Sequence, residues 1–63
     1  ARVIENDDEK ILVSYTTNVA SISRGKAKVF DIYSPTTLRH IKEFLLQNGF
    51  TAINKKQIIH DYM

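Results

Sequence analysis

Between Tyr33 and Phe50 the chain reads YSPTTLRHIKEFLLQNGF, a segment carrying a helix start, a helix stop and an apolar stripe between them. Ser34 is suited to the N-cap because its hydroxyl can accept from a backbone N–H two or three residues on, and Pro35 falls at the first helical position, where a missing donor costs nothing. Leu38, Ile41, Phe44 and Leu45 recur at three- and four-residue spacing, so they share one stripe that another element must cover. Arg39, Lys42, Glu43 and Gln47 occupy the opposite surface. Asn48 and Gly49 stop the helix, since glycine takes the left-handed conformation without a Cβ clash, and Phe50 can fold back on Leu45. The spacing predicts a helix over 35–48. Its first turn, Pro35-Thr36-Thr37, lacks the acidic residue that commonly complements the positive end of the helix dipole, which leaves that end open to an anion.

Sixty-three residues make one small domain, and a chain of that size buries only about 60% of the surface its unfolded form exposes. No cysteine is present, so neither disulfides nor cysteine-ligated zinc can staple it, and the composition fits a reducing cytoplasm. Stability must come from the core or from pairing with a second copy, and a homodimer is compatible with helices this apolar. Hydrophobic residues at 43% and charged ones at 25% exclude a disordered chain. A formal charge of +2 permits an anionic partner without demanding one. No apolar run approaches the roughly 18–20 residues of a membrane span, and no secretion signal opens the chain; no membrane partner is expected.

Residues 1–10, ARVIENDDEK, alternate little and read as a mobile arm or a short edge strand with its acidic residues in a solvated turn. Ile11 to Tyr15 alternates and is rich in branched and aromatic residues, as a strand requires, with Ile11, Val13 and Tyr15 on one face and Leu12 and Ser14 on the other. Thr16-Thr17-Asn18 interrupts the pattern, as either a bulge in one long strand or a tight turn between two. Arg24-Gly25 signals a hairpin that pairs Ile22 with Ala27 and Ala20 with Val29, leaving Ser21, Ser23, Lys26 and Lys28 on the exposed face. Phe30 and Ile32 then fall on the lysine side, so the strand must twist, bulge or be covered on both faces. Phe50 to Ile53 reads as a linker or a further strand. Asn54 and Gln57 form a capping pair that opens a short, fraying helix to Tyr62.

The strings SYTTNVASI and KVFDIYSPTTLRHIKEFL, separated by the glycine turn, carry a resemblance. The pattern is a SYxTxVA strand, a hairpin and a YSxTTxRHIxxFL helix start, met by Ser14, Tyr15, Thr17, Val19 and Ala20 and then by Tyr33, Ser34, Thr36, Thr37, Arg39, His40, Ile41, Phe44 and Leu45. It resembles a family of small uncharacterised proteins carried by phages and other mobile elements, and the match spans about two thirds of the chain. Asn18 departs from it where proline is more usual. The resemblance implies a phage or mobile-element source and a small sheet with a helix; it implies no established activity.

No specific catalytic or metal motif is present. Around the helix start, Ser34, Thr36, Thr37, Arg39 and His40 could converge on a phosphate, with Lys26 and Lys28 adding charge if the hairpin lies near. The plainer reading has Ser34 and Thr37 capping the helix and Arg39 paired with Glu43 four residues on. Tyr15 and Tyr33 could stack on bases, or pack at the sheet edge. Ser34, His40 and Asp31 do not make a triad by proximity alone, and His60-Asp61 with a distant His40 lacks metal-ligand spacing. A helix-turn-helix with Asn54–Tyr62 as reader is disfavoured by an apolar connection of about five residues, longer than the usual turn.

The sequence thus predicts an α+β domain: a two- or three-stranded antiparallel meander covered on one face by the helix, with Leu38, Ile41, Phe44, Leu45 and Phe50 packing on Ile11, Val13, Ala20, Ile22, Ala27 and Val29. The expected function is non-enzymatic and needs no cofactor or metal. It is binding of DNA or RNA through phosphate contacts, or binding of a host or phage protein, in the cytoplasm of a host cell if the chain is phage-encoded.

Overall fold

In the computed structural model, which describes residues 1–63, four strands precede two helices: β1 (Arg2–Glu5), β2 (Glu9–Ser14), β3 (Thr17–Ser23), β4 (Lys26–Val29), α1 (Pro35–Gln47) and α2 (Lys55–Tyr62). The strands form one antiparallel sheet in the order β1-β2-β3-β4. The α+β class stands, but the sheet has four strands where two or three were expected. The added one is β1, which pairs with β2 from Arg2↔Val13 to Glu5↔Lys10. Its residues are all exposed, so it is an edge strand held by its ladder and not by an apolar side.

The β2–β3 and β3–β4 hairpins each close on a two-residue turn. Between β3 and β4, Arg24 (φ 53°) and Gly25 (φ 77°) both have positive φ, the mark of a type I′ turn whose twist suits flanking strands. The expected register follows, with Ile22↔Ala27 and Ala20↔Val29. Between β2 and β3 the turn is Tyr15-Thr16, flanked by the pair Ser14↔Thr17, and a register shift lies two residues away, where Leu12 faces Ala20 but Val13 faces Asn18. Turn and bulge are therefore both present. Val19 is the extra residue, and a bulge brings two neighbours toward the same side; accordingly Val19 and Ala20 are both fully buried.

One face of the sheet carries the core. Leu12, Val19, Ala20 and Val29 from the strands meet Ile41, Phe44 and Leu45 of α1, Ile58 of α2 and Ala52 of the linker in a single cluster, with Ile22, Ala27, Ile32, Leu38, Phe50 and Tyr62 at its margin. The helix was expected to rest on Ile11 and Val13. Instead Leu12 is the β2 residue in the cluster, Ile11 is half-buried, and Val13 is buried outside it. Ala20 decides this, because its cross-strand partner is Leu12 and opposite residues share a face. Fully burying Ile41, Leu45, Ile58 or Val19 stabilises by roughly 1.5–3 kcal/mol per side chain. Strand β4 stops at Val29, so Phe30 stays on the Lys28 side and half-exposed while Ile32, freed from alternation, reaches the core.

Helix α1 begins as expected: Thr37 N donates to Ser34 Oγ at 3.2 Å and Pro35 opens the first turn. It ends in a Schellman motif, with Gly49 N donating to Leu46 O (3.1 Å) and Phe50 N to Leu45 O (2.9 Å) around Gly49 at φ 83°. Residues 50–53 are a linker, not a strand. Helix α2 opens on Asn54 Oδ1, which accepts from Gln57 N at 2.8 Å, while Gln57 Oε1 reaches past the cap to accept from Ile53 N at 2.7 Å. The expected fraying is opposed by Ile58, fully buried, by the Tyr62 hydroxyl donating to Thr51 O at 2.8 Å, and by an edge-to-face contact between Phe50 and Tyr62 at 6.1 Å. Since both helices bury into the same cluster, the opposite face of the sheet is left without a covering element.

Candidate functional site

Alternation along the paired strands places Ile4, Ile11, Ser21 and Lys28 in one row across the uncovered face, with Glu9, Ser23 and Lys26 in the next. Lys26, Lys28 and Phe30 are exposed there. The Lys28 ammonium lies 5.7 Å from the centroid of the Phe30 ring, within range of a cation–π contact. Neither Lys26 nor Lys28 takes part in an ion pair, and neither does Arg24 at the hairpin tip.

The helix start is elsewhere. Strand β4 runs away from the hairpin tip, and α1 begins five residues after it ends, so the tip and the start of α1 lie at opposite ends of the sheet. The tip instead faces the β1–β2 turn, sharing a depression with Asp7, Asp8 and Asn48. The lysines of the hairpin and the residues of the helix start do not converge on one ligand.

At the helix start, the β2–β3 turn and α1 enclose a cleft of about 620 Å³ lined by Arg2, Ser14, Tyr15, Thr16, Ser34, Thr36, Thr37 and His40, together with Ala1 and Val13. Four of the residues singled out around the helix start, Ser34, Thr36, Thr37 and His40, are thus brought together, with Tyr15 beside them. Arg39 is not among them: it lies on the outer side of α1, with Nε 3.5 Å from a Glu43 carboxylate oxygen, the arrangement the plainer reading anticipated. Thr37 is buried, and its hydroxyl is 3.3 Å from that of Ser34; both serve the cap. Tyr33 is exposed outside the cleft lining.

Asp31 Oδ1 accepts from the neighbouring Ile32 N at 2.9 Å, and Ser34 is engaged with Thr37, so Ser34, His40 and Asp31 form no hydrogen-bonded relay. His60 Nδ1 and Asp61 Oδ1 are 2.8 Å apart on the surface, far along the chain from His40. Asp61 is held below its ordinary carboxylate range chiefly by the hydrogen bond from Gln57, and further by His60. No group of three or more histidine or acidic side chains is arranged to hold a metal ion, and no helix is long and apolar enough to cross a membrane.

Two cleft residues escaped the sequence reading. Arg2 lies in the segment expected to be a mobile arm or a short edge strand, and the pairing of β1 with β2 brings it to the cleft, whereas Ser14 reaches it from the end of β2, opposite Thr17. A family model, described as a family of unknown function (DUF8033), matches residues 1–61. No curated protein and no solved structure matches the chain.

Proposed function

The chain belongs to that family, and for it we propose a non-enzymatic accessory role: binding single-stranded DNA or RNA on the uncovered face of the sheet. The observation that carries this reading is the pairing of Lys28 with the exposed Phe30 ring on that face. A charge that meets phosphate and a ring that accepts a base are the two parts a sequence-tolerant single-strand platform needs. Lys26 and Arg24 continue the positive charge toward the hairpin tip without carboxylate partners. Ser21 and Ser23 lie between them on the same face as neutral hydrogen-bonding groups. The likeness of the SYxTxVA and YSxTTxRHIxxFL strings to mobile-element proteins supports a phage or mobile-element setting, acting in the host cytoplasm.

A second reading rests on Ile4 and Ile11, cross-strand partners on that face, with Ile4 44% exposed. An apolar pair toward the β1 edge of the sheet suits a protein partner, from the host or the phage, or a second copy. The two differ in their response to salt, because phosphate contacts release counterions and an apolar interface does not.

The test is fluorescence anisotropy of labelled single-stranded DNA and RNA at low and moderate salt. Lys28→Ala should weaken binding and flatten the salt slope by about 0.7 for one lost phosphate contact on a single strand, and Phe30→Ala should cost about 1–3 kcal/mol of stacking. Arg39→Ala, on the far side of α1, serves as the control and should bind as the unaltered protein does. Binding that is absent, or indifferent to Lys28 and Phe30, would remove this reading and turn attention to a protein partner.

A further inference from the structure

Ser14 is only 7% exposed, yet its hydroxyl takes part in no hydrogen bond within the protein. No buried polar side-chain atom is both sealed from solvent and unpaired, so that hydroxyl must open onto the cleft Ser14 lines. With no partner in the protein, the hydroxyl is free to donate to a ligand in the cleft.

The opposite wall supplies more donors. Of the first amides of α1, Pro35 has none, Thr37 N is taken by Ser34 Oγ and Leu38 N by Ser34 O. Thr36 N remains free at the positive end of the helix, beside its own exposed hydroxyl. Arg2, which makes no ion pair, closes a third side, and no carboxylate lines the cleft. The donor set is therefore directed at an anion. At the mouth stands Tyr15, 93% exposed and at φ 56°, a left-handed conformation that is an outlier for a bulky side chain.

We propose that this cleft binds a nucleoside monophosphate: the phosphate accepts from Ser14 Oγ, from Thr36 N and Oγ1 and from Arg2, and the base lies on the Tyr15 ring. The same chemistry is offered by a free nucleotide and by the 5′-phosphorylated end of a strand. The site includes neither Lys28 nor Phe30, the residues that carry the sheet-face reading, and is tested apart from it. A cleft of about 620 Å³ is in the range of small-ligand sites.

The experiment is a titration of the ¹⁵N-labelled protein, followed by amide shifts, with inorganic phosphate, with adenosine monophosphate, and with a trinucleotide bearing either a 5′-phosphate or a 5′-hydroxyl. The expected shifts centre on Ser14–Thr16 and Ser34–Thr37, with the nucleotide binding more tightly than phosphate alone. Ser14→Ala should weaken phosphate and nucleotide alike by about tenfold, the order expected for one hydrogen bond to a charged group. Because the hydroxyl has no partner in the free protein, that variant should keep the fold; Arg2→Ala, at an exposed position, is the second probe and should act in the same direction. Tyr15→Ala should reduce nucleotide affinity to that of phosphate and leave phosphate binding unchanged. Preference for the phosphorylated trinucleotide over the mononucleotide identifies a strand end as the source, and the reverse identifies a free nucleotide; either upholds the site. Shifts scattered over the lysine-bearing surface, or affinities untouched by Ser14→Ala and Arg2→Ala, overturn it.

Discussion

Lys10 Nζ donates to Asn48 Oδ1 over 2.8 Å, joining residues 38 positions apart and tying the second strand to the C-cap of the main helix. Asn48 completes the junction by donating from Nδ2 to Phe44 O at 2.8 Å. One side chain thus satisfies a helix-end carbonyl and holds a strand lysine that also lies 3.6 Å from Glu5. Asn48→Ala should lower unfolding stability by about 1–2 kcal/mol, since it leaves a part-buried carbonyl without its side-chain donor and removes the hydrogen bond from Lys10 to the helix end, leaving that lysine only Glu5. Urea denaturation should show the loss in the midpoint with no change in slope.

Gly25 and Gly49 both have positive φ, and a Cβ at either would meet nothing within 4 Å. The cost of alanine there is backbone strain alone, about 1–2 kcal/mol at each site. Arg24→Asn should act in the opposite direction, raising stability by a few tenths of a kcal/mol, because asparagine tolerates the left-handed position that Arg24 occupies at φ 53°. Thermal melts of the three variants would check the order, and a neutral Gly49→Ala would show that α1 does not depend on its Schellman ending.

Helix α2 spans only eight residues and owes its order to packing and not to its own propensity. Ile58→Ala should cost about 2–5 kcal/mol, enough to threaten so small a domain. Tyr62→Phe keeps the ring against Phe50 and removes only the hydrogen bond to Thr51 O, so it should cost about 1 kcal/mol. Hydrogen exchange on residues 55–62 should accelerate in Tyr62→Phe while the amides of β2 and β3 keep their protection.

Asp61 gives α2 a dependence on acidity. Its folded-state value is lowered from 3.8, first by the Gln57 side chain and then by His60. A depressed carboxylate contributes stability that is present above the unfolded value and is lost as pH falls through the folded one. Protection of α2 should therefore decline in acid below about 3.8, and Asp61→Asn should flatten that decline. A parallel decline in the variant would assign the acid response to other carboxylates.

The ends of both helices and the β3–β4 hairpin were legible because each has a local cause. Ser34 and Pro35, Asn48 with Gly49, Asn54 with Gln57, and Arg24-Gly25 act through backbone geometry within a few residues. What stayed hidden depends on partners distant in the chain. For Arg2 to Glu5 the sequence left an arm and a short edge strand both open, and the free edge of β2 decides for the strand. Alternation divided β2 into two faces but could not say which one the helix would cover; the pairing of Leu12 with Ala20 settles that. The helix-start cluster was half visible. Ser34, Thr36, Thr37 and His40 do gather, whereas Lys26 and Lys28 sit across the sheet and Arg39 faces away, because sequence spacing along a helix gives a face but not its neighbour. Ser14 stands in the SYxTxVA string, but nothing in the sequence marks its hydroxyl as unpaired, since that is a property of its surroundings.

The bulge at Val19 is one residue more than regular pairing needs, accommodated without loss of the ladder on either side. Regular pairing resumes beyond it with Val13↔Asn18 and Ser14↔Thr17, so a chain one residue shorter at this point would keep the same two-residue turn and the same inward phase for Ser14. What the extra residue adds is a second buried side chain beside Ala20. Loss of one residue here would therefore be met at the expense of core volume, leaving the turn that bears Tyr15 where it is.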